Sequence, residues 1–511
     1  MKLYKLLFLI PFMLITSCDL DREPYGISNF WNTEADAQLG LDAAYAPFYE
    51  EEGFGRGHWW VGAASDDMVI NRSKGDDEAL TEFRTTTNAS SGQFSNWKVM
   101  YKVIRRANDV MKYTPGIEMS DKSKDVLIGE ANFLCAFAYF HLAKRYGGLP
   151  FYDYNKPDEI NKPRETKTET YTRIEAYLKT AISHFEKHDL WTRDKGAEGR
   201  PQLGAAYGLL AKVYAHWGKY TEAKSAAEKV INSGKYSLDK TDNNGYAHLF
   251  SPAGEKHEEV LFNLTNKAVR NQGTVTSVIL LSGTLSGGTG WYYFAPTKSL
   301  FDAFEKPTVT SGGDLRREVT LKGVGDVVHY LGTATTLTSD NIKDMTTGYM
   351  GAKYSAAYND LSGWNWETGA DVPLLRYADV LLIHAEAEIF LAGGGASNRT
   401  KGVAAAATSF NEVRVRAFGG DNTKAITAPT FNDLVNERRC ELAYEDERHY
   451  DLVRWGLAKE VYAAATTETD PRGARTFDPV KDAHFPIPQR EIENTDYVLV
   501  NNPLDGYSNF K

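Results

Sequence analysis

Residues Asn436–Gly456 read NERRCELAYEDERHYDLVRWG, and they carry charge where an amphipathic helix should be apolar. Phe431, Leu434, Val435 and Leu442 fall at i, i+3, i+4 and i+11, one face of a 3.6-residue repeat. Arg438 lies on that same face, with Glu441 and Glu445 beside it. A second helix is expected after Glu445–Glu447, with Tyr450, Val453, Leu457 and Val461 as its buried stripe and Asp451 and Arg454 on its flank. Arg438/Glu441, Glu445/Arg448, Arg448/Asp451 and Asp451/Arg454 are each three apart, so each pair can meet on a helix surface. Charges taken out of water must pair, because an isolated buried ion costs on the order of several kcal/mol. Such a cluster is either catalytic or a structural ion-pair lattice. No His, Cys or Ser stands at a nucleophile–base spacing, and structural networks also hold perturbed charges, so a lattice joining two helices is expected.

Composition narrows the class. Of 511 residues, 25% are charged and 42% hydrophobic, the balance of a globular protein rather than a disordered or membrane-embedded one. A net charge of −10 argues against a nucleic-acid partner, which needs a basic face to neutralise phosphates. Aromatic residues reach 12%, enough to fill helix interfaces and leave a surplus for stacking on a ligand. At the N-terminus Lys2 and Lys5 precede the apolar run Leu6–Ile15, which is too short to span a bilayer as a helix. Leu14-Ile15-Thr16-Ser17-Cys18 then sets small residues immediately before a cysteine. Residues 1–17 therefore read as a signal peptide resembling that of a bacterial lipoprotein. Cys18 would be the lipidated first residue of the mature chain; a plain secretory signal is the alternative. Cys135 and Cys440 sit in helical apolar patterns and are expected as buried free thiols, although an oxidising compartment would let them pair.

Residues 18–32 read as a tether. Thr33 and Asp36 then form a capping box opening a helix. Gly53–Thr87 shows no sustained period and reads as loop with short strands. Helices are expected from Phe94 to a stop at Pro115-Gly116, over Gly129–Tyr146, and from about Tyr171 to Phe185. Ala205–Tyr236 places Tyr207, Leu210, Ala211, Tyr214, Gly218, Tyr220 and Ala223 on the spacing of the 34-residue tetratricopeptide (TPR) pattern. Looser versions around 94–146 and 373–416 point to several stacked pairs, since one repeat cannot bury its own face. Lys240–Met350 changes character, becoming rich in Gly, Thr, Ser and Asn, and reads as an irregular α+β insert. Helix returns over Pro373–Leu391 and Val403–Ala417. His384, Glu386 and Glu388 are two apart and do not share a helix face, so metal ligation is not expected there. Phe485–Ile492 reads as a Pro-rich extended tail packed across the body. The fold expected is mostly α, a TPR-like helical body with a loop-rich insert. It divides into 33–239, 240–372 and 373–511.

Several motifs agree in kind and in order. They are Cys18, Trp97…Tyr101…Ile104…Arg106-Ala107-Asn108, Gly129-Glu130-Ala131…Phe133-Leu134…Ala136–Phe140, Tyr146–Pro150, Leu375–Leu382…Ala385-Glu386-Ala387, the 436–456 stretch and Pro486-Ile487-Pro488. Together they resemble the SusD/RagB family of Bacteroidetes outer-membrane lipoproteins. Cys135 and Cys440 stand where that family more often has a basic residue, and Asp379 where it usually has Glu. The resemblance implies a cell-surface lipoprotein, anchored through Cys18, that sits as a lid on a SusC-like TonB-dependent transporter. Members bind oligosaccharides, or in some cases peptides, without catalysis; no cofactor or metal is implied.

Sugar rings present flat C–H faces rimmed by hydroxyls, so a receptor needs aromatic platforms beside polar groups. The candidates are Trp291 and Tyr292 in Gly290–Tyr293, Trp364 and Trp366 in Trp364-Asn365-Trp366, and Trp59 with Trp60. Asp66, Asp67 and Arg72 are expected as the polar rim. Trp97 and Trp455 lie in helix patterns and are expected in the core. Two other classes are open: a surface glycosidase using Asp66/Asp67 or Glu367/Asp371 as its carboxylate pair, and a TPR-like scaffold that binds a peptide or glycoprotein.

Overall fold

The helical body starts on the expected capping box. In the computed structural model Thr33 Oγ1 accepts from the Asp36 amide, the Asp36 carboxylate accepts from the Thr33 amide, and α1 runs Glu34–Tyr45. The structure describes residues 30–501 except 58, 73–74, 85–91, 153–155, 157–160, 192–198, 270–271, 309–311 and 362–365. The signal region, Cys18, most of the tether and Trp364 lie outside the described residues.

Helices α2 (Gly92–Tyr113) and α3 (Asp121–Tyr146) pack on each other, with α4 (Lys167–Glu186) against α3. The small residues Ala131, Ala136 and Ala138 are fully buried, which is what lets the aromatic side chains of neighbouring turns reach the interface. Among the described residues one helix, α3, is long and apolar enough to cross a membrane, but 89% of its apolar window is buried inside the protein, so it is a core helix. Helices α5 (Leu203–Trp217) and α6 (Tyr220–Ser233) form the predicted hairpin, turning at Gly218 with φ +77, a left-handed value that favours glycine. Leu210, Tyr214 and the close-packing residues Ala211 and Ala223 are buried; Tyr207 is half-buried. Trp97 and Trp455 are in this main core, as expected, and Cys135 and Cys440 are buried free thiols.

The rest of the chain is stitched by short antiparallel pairs. β1 (Met68–Ile70) is joined to β3 (Phe294–Pro296), and β2 (Val260–Leu264) to β8 (Val372–Arg376). Within the insert, β4 (Leu321–Gly323) pairs with β7 (Tyr349–Gly351), and β5 (Val327–Tyr330) with β6 (Thr333–Thr336). A short helix α7 (Lys298–Ala303) follows β3. These pieces enclose a second hydrophobic core of Trp59, Trp60, Val278–Leu281, Phe294, Leu300, Met350, Tyr354 and Tyr444, so the loop-rich insert has an interior of its own.

Several expectations change. α3 begins at Asp121, capped by Ser120, eight residues before the expected start at Gly129. The helix predicted over Pro373–Leu391 divides into β8 and α8 (Tyr377–Leu391), because Val372–Arg376 meets β2, a partner far upstream that periodicity cannot reveal. The second helix of the opening stretch also divides. α9 (Ala407–Ala417) and α10 (Phe431–Glu441) are followed by α11 (Arg448–Arg454), a turn at Gly456 with φ +72, and α12 (Ala458–Ala463). Tyr450, Leu452 and Leu457 are buried, while Val453 and Val461 are only half-buried.

The charges of Asn436–Gly456 do form a buried lattice, but mostly not between the predicted neighbours. Only Asp451–Arg454, at 2.8 Å, is one of the four helix-spaced pairs. Arg438 reaches Asp379 at 2.8 Å and Asp451 at 2.9 Å. Glu441 accepts from Arg316 (3.0 Å), Arg376 (2.9 Å) and Arg416 (2.6 Å). Glu445 binds Arg376 and Lys353, and Glu447 binds Lys144 at 3.1 Å and Lys212 at 2.9 Å. Arg454 and the Trp455 indole both donate to Glu386. The stretch thus fastens α3, α5, α8, α9, β8 and the insert to one another. Burial alone would raise the Glu441 carboxyl; Arg416, Arg376 and Arg316 overcome it and hold the group well below the usual carboxylate range. The C-terminal tail packs on the body as expected, the Phe485 amide donating to the Arg145 carbonyl at 2.8 Å and Ile487 buried, but Gln489–Asn494 forms a short helix and not the expected extended chain.

Candidate functional site

The β1–β3 pair decides where the aromatic residues meet. Ile70 is opposite Phe294, so the chain leaving β1 at Asn71-Arg72 runs beside the chain entering β3 at Tyr292-Tyr293. The amides of Asn71 and Arg72 donate to the Tyr293 carbonyl at 2.7 and 3.3 Å. Asn71 is buried and acts as a clamp. Its Nδ2 donates to the carbonyls of Tyr292 (2.9 Å) and Asp344 (2.8 Å), and its Oδ1 accepts from the Thr346 amide at 2.8 Å. The amides of Trp291, Tyr292 and Tyr293 donate to the carbonyls of Val278, Leu281 and Ile279 at 2.9, 3.1 and 2.9 Å. With the backbone hydrogen bonds made inside the protein, the three rings remain half-exposed.

Tyr292 is held at φ +41, in the left-handed region that an aromatic residue rarely enters. Holding it there costs on the order of 1–3 kcal/mol. Gly283 accommodates its ring, since a Cβ at that position would lie 3.0 Å from the ring carbons. Trp366 comes from the loop before β8, fixed by Glu367, whose carboxylate accepts from the amides of Gln272 and Gly273 at 3.0 Å each. Its ring meets Trp291 edge to face, with centroids 5.5 Å apart and planes at 61°, and it is 38% exposed. Trp291 also meets the edge of Tyr293 at 6.2 Å.

Two arginines complete the cluster. The Arg72 guanidinium lies 5.0 Å from the Tyr292 ring centroid and 5.4 Å from that of Tyr293. Arg56 lies 4.9 Å from the Tyr293 centroid and donates to its hydroxyl at 2.7 Å, while pairing with Glu51 at 2.7 Å. Each cation–π contact contributes about 0.5–1 kcal/mol at such exposure and steadies the ring beneath it. The product is a group of half-exposed aromatic rings with guanidinium donors stacked on two of them, suited to the C–H face and hydroxyl rim of a sugar.

Four of the predicted site residues belong elsewhere or need correcting. Trp59 and Trp60 are 1% and 2% exposed, packed edge-on against Tyr354 at 6.0 Å and Phe294 at 5.3 Å, so they are core anchors and not platforms. Asp66 and Asp67 are buried. Asp66 pairs with Arg448 at 2.9 Å and Arg439 at 3.0 Å, and Asp67 with Arg439 at 2.7 Å. Burial would raise the Asp66 carboxyl, but Arg439 and Arg448 hold it well below the usual range; burial with only partial relief from Arg439 lifts Asp67. They therefore extend the ion-pair lattice and do not form a rim. Trp291, Tyr292, Trp366 and Arg72 are brought together; Trp364 lies outside the described residues. Arg56 and the Asn71 clamp are not legible in the sequence, because only the folded chain brings residues 56 and 71 to the rings of 292 and 293.

The other carboxylates considered for hydrolysis also have structural partners. Asp371 accepts from the Asn266 amide at 2.7 Å and from the Asn263 side chain at 2.5 Å, and Glu367 holds its loop as described. His384 meets Ser409 at 2.8 Å. His216, Glu447 and Asp451 bring possible ligand atoms within 4.8 Å of one another. Burial and the nearby Arg454, Lys144, Lys212 and Arg438 drive His216 well below its ordinary pKa. Asp451 and Glu447 already bind four of those cationic side chains, so a metal ion would have to displace them; the trio is part of the lattice.

Comparison with known proteins agrees with this architecture. A family model described as "SusD family" matches residues 258–507, and one described as "Starch-binding associating with outer membrane" matches residues 20–215. SusD-like protein P2 of Formosa agariphila is 26% identical over 99% of this chain and 100% of its own length. The starch-binding protein SusD of Bacteroides thetaiotaomicron is 25% identical over 71% of each chain. Among solved structures, a SusD-like protein from Bacteroides fragilis superposes with a TM-score of 0.76 at 22% identity, covering 94% of this chain and 98% of its own. Surface glycan-binding protein A from Bacteroides thetaiotaomicron, in complex with laminarihexaose, gives 0.73 at 22% identity over 92% and 99%.

Proposed function

The chain belongs to the SusD family, and from that premise we propose that it is a non-catalytic cell-surface protein that binds oligosaccharides through the Trp291/Trp366 cluster. It passes its ligand to a SusC-like TonB-dependent transporter in the outer membrane, to which a lipid on Cys18 keeps it close. One observation carries the reading: half-exposed rings set by a clamped and locally strained backbone, beside guanidinium donors. A core aromatic needs no such presentation, since strain persists only where the surroundings over-determine it. The relatives named for binding starch and laminarihexaose support the ligand class. Binding without turnover fits the carboxylates, which hold ion pairs and loop amides.

Affinity electrophoresis in gels carrying neutral polysaccharides tests this. Trp291→Ala and Trp366→Ala should each weaken retention by about tenfold or more, as loss of a stacking ring of about 1–1.5 kcal/mol with its buried contact implies. Their melting temperatures should stay near that of the parent. Retention unaffected by both substitutions would move the ligand elsewhere and favour a peptide-binding role for the helical side. Release of reducing ends by the purified chain would replace the binding role with a glycosidase.

A further inference from the structure

We propose that the open cleft between α7 and the β4–β7 pair is a second carbohydrate subsite, which holds one ring of a neutral oligosaccharide against Phe301 and Tyr349. The proposal rests on the glycan-binding reading and adds a separate contact to it. The cleft has a volume of about 390 Å³, within the range of small-ligand sites. Phe301 and Tyr349 line it as a stacked pair, with centroids 4.7 Å apart and planes at 27°, and both are half-buried. Val324, 64% exposed, adds an apolar wall. Gly348, also in the lining, at φ +76 leaves open space where a side chain would stand. The stacked pair spends one face of each ring on the other, so what it offers the C–H face of a pyranose ring is the aromatic surface that remains half-exposed, with Val324 beside it.

The rim supplies donors and acceptors in balance. Arg317 lies 5.5 Å from the Phe301 centroid and pairs with Asp326. Lys298 pairs with Asp302 and reaches Glu468 at 3.6 Å. Thr347 and the backbone of Gly323 complete the lining. The two lining cations thus have carboxylate partners. An anionic ligand would have to compete with those carboxylates, whereas the paired hydroxyls of a neutral sugar can donate to one partner and accept from the other.

This cleft is distinct from the Trp291/Trp366 cluster. β3 leads away from Tyr293, and Thr297 caps α7 by accepting from the Leu300 amide at 3.1 Å. Four extended residues advance about 13 Å, so the two aromatic groups lie at opposite ends of the strand.

The test is affinity electrophoresis of the full chain in gels carrying neutral glucan, mannan, galactan or xylan, with dextran sulfate as the anionic comparison. In whichever neutral gel retards the parent, Phe301→Ala and Tyr349→Ala should each weaken retention about three- to tenfold, the loss expected for one aromatic contact. Tyr349→Phe, which keeps the ring, should retain binding. Should Tyr349→Ala fail to fold, Val324→Asn at its exposed position carries the same test, with an expected loss of about twofold. Retention of Phe301→Ala and Val324→Asn equal to the parent, while Trp291→Ala loses it, overturns the second subsite and leaves the first. Retention by dextran sulfate alone overturns the neutral ligand. A parent chain that runs freely in every neutral gel overturns the glycan reading, and this subsite with it.

Discussion

The lattice around Asn436–Gly456 and the cluster around Trp291 and Trp366 use polar chemistry in opposite ways. In the lattice the side chains are buried and paired with charged partners from α3, α5, α8, α9, β8 and the insert. In the cluster the backbone is held by Asn71 and by the 278–281 carbonyls, while the rings of Trp291, Tyr292 and Tyr293 stay half-exposed. A site that recognises a ligand needs unspent surface on a rigid support. The first region is the support for the fold, and the second is surface.

The two regions differ most at Arg438. Arg438→Ala strips Asp379 and Asp451 of a shared guanidinium while leaving both carboxylates buried. Losing one side of such a pair costs about 3–5 kcal/mol. The expected outcome is a large fall in melting temperature or expression, with unchanged glycan retention in whatever fraction folds. Unchanged melting combined with lost retention would put the stretch in the ligand site.

Asp446 sharpens it from within. This residue sits between α10 and α11 at φ +60, lining a cavity of about 30 Å³ with Lys144, Lys212, His141 and Glu447. Burial pushes its carboxyl up to about 7, against the pull of Arg145 and Lys144. Below about pH 4 both folded and unfolded chains hold the proton. Between about pH 4 and 7 only the folded chain does, so this group's contribution to stability falls as pH rises and levels off above 7. Asp446→Asn has no such slope. It should be more stable than the parent at pH 8, on the order of 2–4 kcal/mol, with the gap closing at pH 4. Thermal melts across that range read it directly, and a constant gap would remove Asp446 as the cause.

Asp66 separates the two regions by chemistry that looked the same in the sequence. Asp66→Asn keeps the shape but uncouples Arg448 and Arg439 from a charge. Roughly 1–3 kcal/mol of stability should be lost, with retention unchanged. Loss of retention at constant stability would restore Asp66 to a ligand rim.

That case shows what the sequence carries. Helices α1 to α6 were legible because capping residues, 3.6-residue periods and small residues are local signals: Thr33 with Asp36, Gly147 after Tyr146, and Ala211 with Ala223. Presence of the lattice was legible too, since charge on an apolar face has to pair. Its partners were not. Glu441 meets Arg316, Arg376 and Arg416, which only the folded chain brings near. For the site, an aromatic-rich loop was visible, yet Trp59 and Trp291 are indistinguishable by local composition. One ends 1% exposed, in a short helix packed against Tyr354 and Tyr444, and the other half-exposed just ahead of β3, a difference that only long-range packing makes.

The smallest expected change in stability is at Tyr292, where the two regions can be told apart most finely. Tyr292→Gly removes the ring but suits φ +41, which costs a tyrosine on the order of 1–3 kcal/mol and a glycine almost nothing. Against that gain stand the lost contact with Gly283 and the cation–π contact with Arg72, the latter about 0.5–1 kcal/mol, together with the greater backbone freedom of glycine in the unfolded chain. These nearly cancel, so the melting temperature should barely move while glycan retention falls. A lattice residue behaves the other way, because its side chain has no role besides its partners. Were Tyr292→Gly to unfold the chain, the ring would be structural, and the strain at this position would have no connection to ligand binding.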